Sequence, residues 1–324
     1  MDNLGPSWRR CVQAPEDAFH AERNLFLPMP ASSQEHQRAS RSKSQIRMNT
    51  MQEIESGNFA VPRWLFFPPD SIRVVNWNID RGLKLSGVIE FLAGAKADII
   101  LLQEADLNAR RTHHTNVAKE IAQTLEMNYV FGWEFQELTQ GSKASPAYHG
   151  QATLSRWPLA NSRIIRFQKQ SHFWRPHWFL PEIAPFQERL GGRMALVSAV
   201  NIAGKTIVVY NLHLESRGDD NLRCSQLGEV LGDARQYHWD TAILLAGDFN
   251  LDVSQAAASA ISRAQFQDAF ANQHVPTTPG SFLEHGRIID WIFTRGRVRA
   301  SQSQVHRSVS ASDHYPLTIN LEVG

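Results

Sequence analysis

From residue 72 onward, short apolar runs of strand length recur along the chain, separated by polar and glycine-containing segments. The first two, IRVVNWNI and DIILLQE, flank the stretch KLSGVIEFLAGAK, whose apolar residues fall at helical spacing. Later runs of the same kind are GQATLSRWPL, RMALVSAVNIAG, KTIVVYNLHLE, TAILLAGDFN, IIDWIFT and YPLTINLEV. Strands outnumber helices, so most of the apolar surface must be buried by β-sheets.

The connections between these runs indicate sheets of mixed direction. A β-α-β start predicts a parallel pair, whereas NIAGK at residues 201–205 is a glycine-containing hairpin turn that predicts an antiparallel pair. Further helices are predicted in HTNVAKEIAQTLE, with Thr115 as its cap, and in NLRCSQLGEVLGDARQY. The pattern therefore predicts the α/β class.

Length and composition indicate one large domain behind an N-terminal tail. The chain has 324 residues, of which 42% are hydrophobic and 20% charged, as in ordinary globular proteins. Residues 30–58 are rich in Ser, Gln and charge and nearly free of aliphatic residues. We therefore predict a flexible tail over residues 1–65 and a single domain over residues 70–324.

Charge and cysteine content limit the binding partners and the cellular compartment that we expect for the protein. The net charge of +1 excludes a strongly basic nucleic-acid coat but leaves room for a local basic groove. Cys11 and Cys224 show no metal-binding or disulfide spacing, which suits a reducing compartment. No secretory signal and no apolar run long enough to span a membrane is visible. We expect a cytoplasmic monomer.

Polar side chains interrupt the strands near their ends. Taken singly, an Asp or Asn after a strand is usually a turn former, and a lone His is usually a packing residue. Six runs share the feature, however, and ionisable groups beside apolar residues are costly to bury unless they pair or hold a cation. A common site at the strand ends explains them together. The residues are Asn78, Asp80, Gln103, Glu104, His213, Glu215, Asp248, Asn250, Asp290, Asp313 and His314.

The metal chemistry of this set suits hydrolysis of a phosphate ester. Glu104, Asp80 and Asp313 supply hard oxygen ligands of the kind that Mg²⁺ or Mn²⁺ prefers. Such an ion, bound together with substrate phosphate oxygens, supports metal-assisted hydrolysis.

The remaining residues supply proton transfer and hydrogen bonds. Asp248 can orient or deprotonate a water, while Asn78 and Asn250 can donate to phosphoryl oxygens. His213 and His314 each lie near a carboxylate that can fix the tautomer of the ring, with Asp290 a candidate partner.

Seven segments resemble, in order, the motifs of the endonuclease/exonuclease/phosphatase superfamily, which includes DNase I, abasic-site endonucleases, neutral sphingomyelinases and inositol polyphosphate 5-phosphatases. The match runs from about residue 72 to the C-terminus. The resemblance implies a four-layer α/β sandwich, with two mixed β-sheets packed face to face and helices outside. The segments are WNID, LLQE, GQATLSRWPL, NLHLE, GDFNLD, RIIDWIF and SDHYPL.

The resemblance also implies a role for each matching residue. Glu104 resembles the principal metal ligand, with Asn78 and Asp80 beside it. Asp248 resembles the residue that activates the attacking water. The other implied roles are phosphate binding by Asn250, phosphate contact by His314 held by Asp290, a second metal-side carboxylate in Asp313, an additional histidine in His213, and a family arginine in Arg193 at the substrate phosphate.

Several positions keep two interpretations at this stage. Glu215 stands where family members often carry Asp, and it is either part of the site or a surface residue. Arg110 and Arg111 are candidates for substrate phosphate or solvated loop residues, and Tyr148 and His149 are candidates for the cleft wall.

The substrate is the least constrained feature. We predict a metal-dependent hydrolase acting on a phosphodiester, with nucleic acid among the candidate partners. The alternatives are a DNA-specific nuclease, a sphingomyelinase-like lipid phosphodiesterase and a non-catalytic binding scaffold. The loop at residues 167–192, rich in Phe, Trp and Arg, is interpreted as a cap on the sandwich, a wall that stacks on bases or a sugar, or a wedge for lipid.

Overall fold

Two β-sheets carry most of the chain in the computed structural model, which describes residues 53–61, 69–171, 188–252, 255–271, 273, 275–280 and 285–324. The strands are β1 Ile54–Gly57, β2 Ser71–Arg81, β3 Ile99–Leu107, β4 Asn128–Glu137, β5 Ala147–Ser155, β6 Leu159–Arg166, β7 Arg189–Gly191, β8 Met194–Ile202, β9 Lys205–His213, β10 Ala242–Asp248, β11 Gln267–Asp268, β12 Asp290–Arg295, β13 Val298–Val305 and β14 Leu317–Val323. The helices are α1 Leu85–Ala95, α2 Val117–Thr124, α3 Asp220–Ala234 and α4 Gln255–Arg263.

Both sheets are mixed, as the sequence predicts. Sheet A has the strand order β1-β4-β5-β3-β2-β14-β13, with β7 beside β4, and sheet B has the order β11-β12-β10-β9-β8-β6. The pairs β2–β3 and β9–β10 are parallel, and the other pairs between named strands are antiparallel. The predicted hairpin joins β8 to β9 through Ala203 and Gly204, whose φ angles of 49° and 91° are those of a tight hairpin turn.

Three buried clusters divide the molecule into four layers. One cluster, with Val74, Leu101, Val209 and Leu244, draws on the inner faces of both sheets. A second joins sheet A to α1 and α2, and a third joins sheet B to α3 and α4. Apolar residues that alternate along a strand thus face the opposite sheet on one side and a helix on the other. The predicted four-layer sandwich is confirmed.

Two helices begin at polar caps. The side chain of Asn116 accepts a hydrogen bond of 3.0 Å from the backbone N–H of Lys119, one residue beyond the predicted cap Thr115. Asp219 caps α3 in the same way, through the N–H of Leu222 at 3.0 Å. Among the described residues, no helix has the length and apolarity needed to cross a bilayer.

The sheet begins earlier along the chain than the predicted boundary near residue 70. Residues 54–57, inside the predicted tail, form β1 and pair with β4. Glu55 explains why a polar segment can do this, because its Oε1 accepts 2.5 Å hydrogen bonds from Tyr129 Oη and Asn116 Nδ2. Residues 1–52 and 62–68 of the predicted tail and linker lie outside the described part of the chain, as do residues 172–187 of the aromatic loop.

Candidate active site

Strand register brings the polar strand ends of sheet B into one row. Asp248, the last residue of β10, lies opposite His213 of β9 on one side and Asp290 of β12 on the other. In sheet A, Asn78 of β2 pairs with Gln103 of β3, one residue before Glu104. Because the ends of both sheets meet at the same edge of the sandwich, residues more than 200 positions apart come together.

Asp248 is where the two sheets meet in the site. Its Oδ2 accepts a 3.0 Å hydrogen bond from Asn78 Nδ2 of sheet A. Two imidazole nitrogens face the same oxygen, His213 Nε2 at 3.5 Å and His314 Nε2 at 3.8 Å. Its Oδ1 accepts the backbone N–H of Asn250 at 2.8 Å. The carboxylate is buried and surrounded by nitrogen donors, an arrangement that suits a group that orients a water.

His314 is paired with the buried carboxylate of Asp290. Its Nδ1 lies 2.8 Å from Asp290 Oδ2, and Trp77 Nε1 donates to the His314 carbonyl at 2.9 Å. Burial alone would lower the pKa of His314, but the charges of Asp290 and Asp248 outweigh burial and raise that pKa to about 10. The ring is therefore a cation near neutral pH and a donor to anions.

His213 has a carboxylate partner that the sequence did not indicate. Glu134 Oε2 of β4 lies 3.5 Å from His213 Nδ1 and 3.2 Å from Arg193 Nη1. Burial alone would raise the pKa of Glu134, but His213 and Arg193 outweigh it and lower that pKa. The signal in the sequence is a lone carboxylate within the apolar run YVFGWEF.

Arg193 lies against the imidazole ring of His213. Its Nη1 lies 2.8 Å from Nδ1 and 2.9 Å from Nε2 of His213, and its Nη2 donates to Ser216 Oγ at 2.9 Å. The guanidinium is 4% exposed, so protein groups surround it. Phosphate binding by Arg193 stays a prediction, and the contacts add a second role, which is to orient the His213 ring.

Glu104 sits in a strained segment that turns its side chain toward the site. Its φ is 54°, in the left-handed region, and the pairing of β3 is irregular here with both neighbouring strands. Asn78 Nδ2 donates to Oε1 at 3.3 Å, and His213 Nε2 lies 3.9 Å from the same oxygen. Partial burial alone would raise the pKa of Glu104, but His149, His213 and Arg81 hold it well below its usual range.

The other predicted site residues lie around this centre. Asp80, at φ 43°, is paired with Arg81 at the rim, and Asp313 is exposed beside Ser312, whose Oγ donates to the Asn78 carbonyl at 2.7 Å. Asn250 Nδ2 donates to the Leu214 carbonyl at 3.2 Å, which uses one of its two amide hydrogens. The structure thus brings all the predicted residues to one edge, although Asp80 and Asp313 lie at its rim.

A polar network joins the two sheets at the strands that carry the site. Gln103 Nε2 donates to Asn76 Oδ1 at 2.9 Å and to Asn211 Oδ1 at 2.7 Å, so it bridges sheet A and sheet B. Asn211 Nδ2 donates in turn to the carbonyls of Leu102 and Ala152. These buried amides tie together β2, β3 and β9, the strands that carry Asn78, Glu104 and His213.

Two residues with open interpretations are resolved by their contacts. Arg111 is held by two carboxylates: Asp106 accepts from its Nε and Nη2 at 2.7 and 2.8 Å, and Glu137 lies 3.1 Å away. Glu215 is buried and accepts the N–H groups of Ser171 and Arg217, so it is not a surface residue.

Tyr148 and His149, which precede GQATLS in β5, are also buried. His149 lies with Nδ1 3.1 Å from Asp106 and Nε2 3.9 Å from Glu104, next to the site. Tyr148 is 7% exposed and packs against Trp133, with ring centroids 5.4 Å apart. His149 is therefore a buried neighbour of Glu104.

Two neighbouring groups could hold a divalent metal. The ligand atoms of Asp248, Asp290 and His314 lie within 4.8 Å of one another. However, two of the possible ligand atoms, His314 Nδ1 and Asp290 Oδ2, are already joined to each other by a hydrogen bond. Glu104 has a 3.3 Å bond from Asn78, and the other charged groups around it stand at 3.8–3.9 Å. An oxygen-rich carboxylate site with unfilled acceptor capacity fits Mg²⁺ or Mn²⁺ better than a mixed nitrogen site does.

Comparison with known proteins identifies the family. The model of the Endonuclease/Exonuclease/phosphatase family matches residues 75–314. An endonuclease/exonuclease/phosphatase from Beutenbergia cavernae shares 17% identity at a TM-score of 0.59, over 79% of this chain and 72% of that one. The human Nocturnin catalytic domain, solved with a bound sulfate anion, shares 16% identity at a TM-score of 0.59, over 84% and 98%.

A third solved structure resembles this chain at a similar identity and TM-score. The endonuclease/exonuclease/phosphatase from Bacteroides vulgatus shares 18% identity at a TM-score of 0.56, over 78% of this chain and 99% of that one. No curated protein matches the sequence. At these identities the solved structures establish a shared fold.

Proposed function

The chain belongs to the endonuclease/exonuclease/phosphatase family, and we propose that it is a divalent-metal-dependent enzyme that hydrolyses a phosphodiester by attack of an activated water. Enzymes of this family are generally hydrolases that act on phosphoester bonds. The observation that carries the proposal is the convergence of Asn78, His213 and His314 on Asp248 Oδ2 beside Glu104.

Asp248 is proposed to orient the attacking water and to accept its proton. A buried carboxylate can do this because its Oδ1 is fixed by the Asn250 N–H and its Oδ2 by Asn78, which leaves little freedom to the group. His213, held by Glu134 and Arg193, faces the same oxygen from the other side. These contacts support a single attack direction.

The phosphate is proposed to bind between the two sheets. Protonated His314 places a positive charge beside Asp248, where negative charge builds on the phosphoryl oxygens in the transition state. The remaining amide hydrogen of Asn250 is a second donor in our assignment. A sulfate anion in the Nocturnin domain of the same fold is consistent with a site for tetrahedral oxyanions.

Glu104 is proposed as the main metal ligand, with Asp80 and Asp313 on the same side. A divalent ion held there supplies charge stabilisation to the phosphoryl oxygens and to the leaving group. The three carboxylates supply only oxygen ligands, which favours Mg²⁺ or Mn²⁺ as the cofactor. The cytoplasmic location and the monomeric state remain predictions from the sequence.

A substrate panel tests the proposal. Purified protein with Mg²⁺ or Mn²⁺ is assayed on bis-p-nitrophenyl phosphate, plasmid DNA, abasic duplex, RNA, sphingomyelin and inositol phosphates. We expect hydrolysis of at least one diester and its loss with EDTA. Product identity then separates a DNA nuclease from a lipid phosphodiesterase. No turnover on the whole panel, together with no metal binding by calorimetry, favours the non-catalytic scaffold instead.

Glu104→Gln assigns the metal site. Removing the charge of Glu104 is expected to abolish Mn²⁺ binding in calorimetry, whereas His314→Gln is expected to keep it. Glu90→Gln is a matched control, because Glu90 is an exposed glutamate on α1. Loss of binding in His314→Gln with retention in Glu104→Gln would instead place the ion on Asp248, Asp290 and His314.

A further inference from the structure

Arg81 lies at the rim of the site and contacts two of the carboxylates assigned to the metal. Its Nη1 is paired with Asp80 Oδ1, and its Nη2 lies 3.8 Å from Glu104 Oε2. Arg81 is at φ 65°, directly after Asp80 at φ 43°, where the pairing of β2 with β3 is irregular. This local turn, and not the regular strand, directs the guanidinium toward Glu104.

The guanidinium stands where positive charge is needed when no metal ion is bound. Asp80 and Glu104 carry like charges close together, and an arginine stays protonated at all physiological pH values. A divalent ion on the same carboxylates repels a guanidinium held beside them. The two cations therefore compete for Asp80 and Glu104.

Arg81 also has the freedom and the chemistry to bind elsewhere. Its side chain is 31% exposed, whereas that of Arg193 is 4% exposed. Glu104, which Arg81 faces, shares the amide group of Asn78 with Asp248, where the phosphate is proposed to bind. The planar fork of a guanidinium matches two phosphate oxygens. Two other arginines near the site, the partly buried Arg111 and the buried Arg193, are already held by Asp106 and Glu134.

We propose that Arg81 neutralises Asp80 and Glu104 in the metal-free protein and moves to a phosphate oxygen of the substrate when a divalent ion replaces it. The inference rests on the proposed function, because it requires both a metal ion and a phosphoester. It assigns Arg81 to substrate binding and to control of metal affinity, and it involves no covalent step.

Two opposite effects of one substitution distinguish this role from a structural one. In Arg81→Gln, we expect Mn²⁺ alone to bind about 3- to 10-fold more tightly by calorimetry, because the competing charge is gone. We expect KM for bis-p-nitrophenyl phosphate to rise about tenfold, with a smaller change in kcat. Arg81→Lys keeps the positive charge but lacks the planar fork of the guanidinium. Its Mn²⁺ affinity should equal that of the wild type, and its KM should lie between those of the wild type and Arg81→Gln.

Arg299→Gln is the matched control, because Arg299 is an exposed arginine on β13 at the end of the sheet away from His314. It should match the wild type in both measurements. Equal or weaker Mn²⁺ binding in Arg81→Gln overturns the competition, and an unchanged KM overturns the phosphate contact. A wild type that neither binds Mn²⁺ nor turns over substrate contradicts the proposed function as well, whereas an active wild type with an unresponsive Arg81 variant contradicts this inference alone.

Discussion

At the scale of single residues, the donors of the site converge on one oxygen, Asp248 Oδ2. Asn78, His213 and His314 reach it from three different strands or loops, at 3.0, 3.5 and 3.8 Å. Only the first of these distances is a hydrogen bond. Each imidazole is paired through Nδ1 with its own carboxylate, His213 with Glu134 and His314 with Asp290. The Nε2 atoms of both rings therefore face Asp248 Oδ2 without forming a hydrogen bond to it.

Asp248→Asn tests the role of that oxygen. The amide keeps the size of the side chain but cannot accept a proton, so we expect kcat to fall by about 10²- to 10⁴-fold with little change in Tm. Steady-state kinetics and thermal unfolding measure the two effects. Asp252→Asn, at an exposed aspartate of the same segment, should retain wild-type turnover. Full activity in Asp248→Asn would remove Asp248 from the proton transfer.

His314 should make stability depend on pH in the alkaline range. Its pKa is raised to about 10 in the folded protein, compared with about 6.5 in an unfolded chain. The folded state thus binds the proton more tightly, and the resulting stabilisation, complete below pH about 6.5, is lost as the pH rises through about 10.

Denaturant unfolding in EDTA at several pH values between about 6 and 10 measures this dependence. The free energy of unfolding should fall more steeply with pH in the wild type than in His314→Gln, because the variant lacks the titrating ring. Parallel curves for the two proteins would show that the Asp290–His314 pair does not bind its proton more tightly in the fold.

At the scale of elements, the site depends on where strands become irregular. β10 runs straight to Asp248, but the residue before it, Gly247, has φ 152° and lies against β9. A Cβ at this position would stand 1.9 Å from the Leu212 carbonyl oxygen. The close approach of β9 and β10 therefore sets the position of Asp248 relative to His213.

Gly247→Ala is expected to lower the free energy of unfolding by at least about 3 kcal/mol, because backbone atoms of β9 must move. Urea titration measures the change. Gly228→Ala is the control: Gly228 lies in α3 with open space around its Cβ position, and alanine there should stabilise by about 0.5–1 kcal/mol. Similar unfolding curves for the two variants would contradict the importance of this contact.

At the scale of the whole molecule, the site lies between the two sheets and takes residues from both. Gln103 links Asn76 of sheet A to Asn211 of sheet B, and Asn78 links Glu104 to Asp248 across the same gap. Carboxylates gathered from both sheets repel one another, so a bound cation should stabilise the folded state and not only activate it.

Mn²⁺ should therefore raise the unfolding temperature. At a metal concentration of about 100 times Kd, the stabilisation is about 2.7 kcal/mol, which corresponds to several degrees in Tm for a domain of this size. Differential scanning calorimetry with Mn²⁺ and with EDTA measures the shift, and Glu104→Gln should show none. An equal shift in wild type and Glu104→Gln would indicate binding elsewhere on the protein.

The strand-end residues could be predicted because each one breaks an apolar run, and a buried polar group needs a partner. The same rule applied to YVFGWEFQE points to Glu134, but that run has no simple alternation and does not by itself predict a strand. Arg111 kept two interpretations for a related reason. Its partners Asp106 and Glu137 lie on β3 and β4, which both pair with β5, and residue spacing along the chain does not predict that arrangement.

The sequence by itself determined the fold class, the order of the strands along the chain and the family, since apolar periodicity and ordered motifs are local properties. Only the tertiary structure decided which polar groups come together: that Glu134 lies beside His213, that Glu215 is buried, and that Arg81 faces Asp80 and Glu104. These contacts depend on the register between strands and on left-handed residues such as Glu104, so they arise only when strands separated in the sequence have paired.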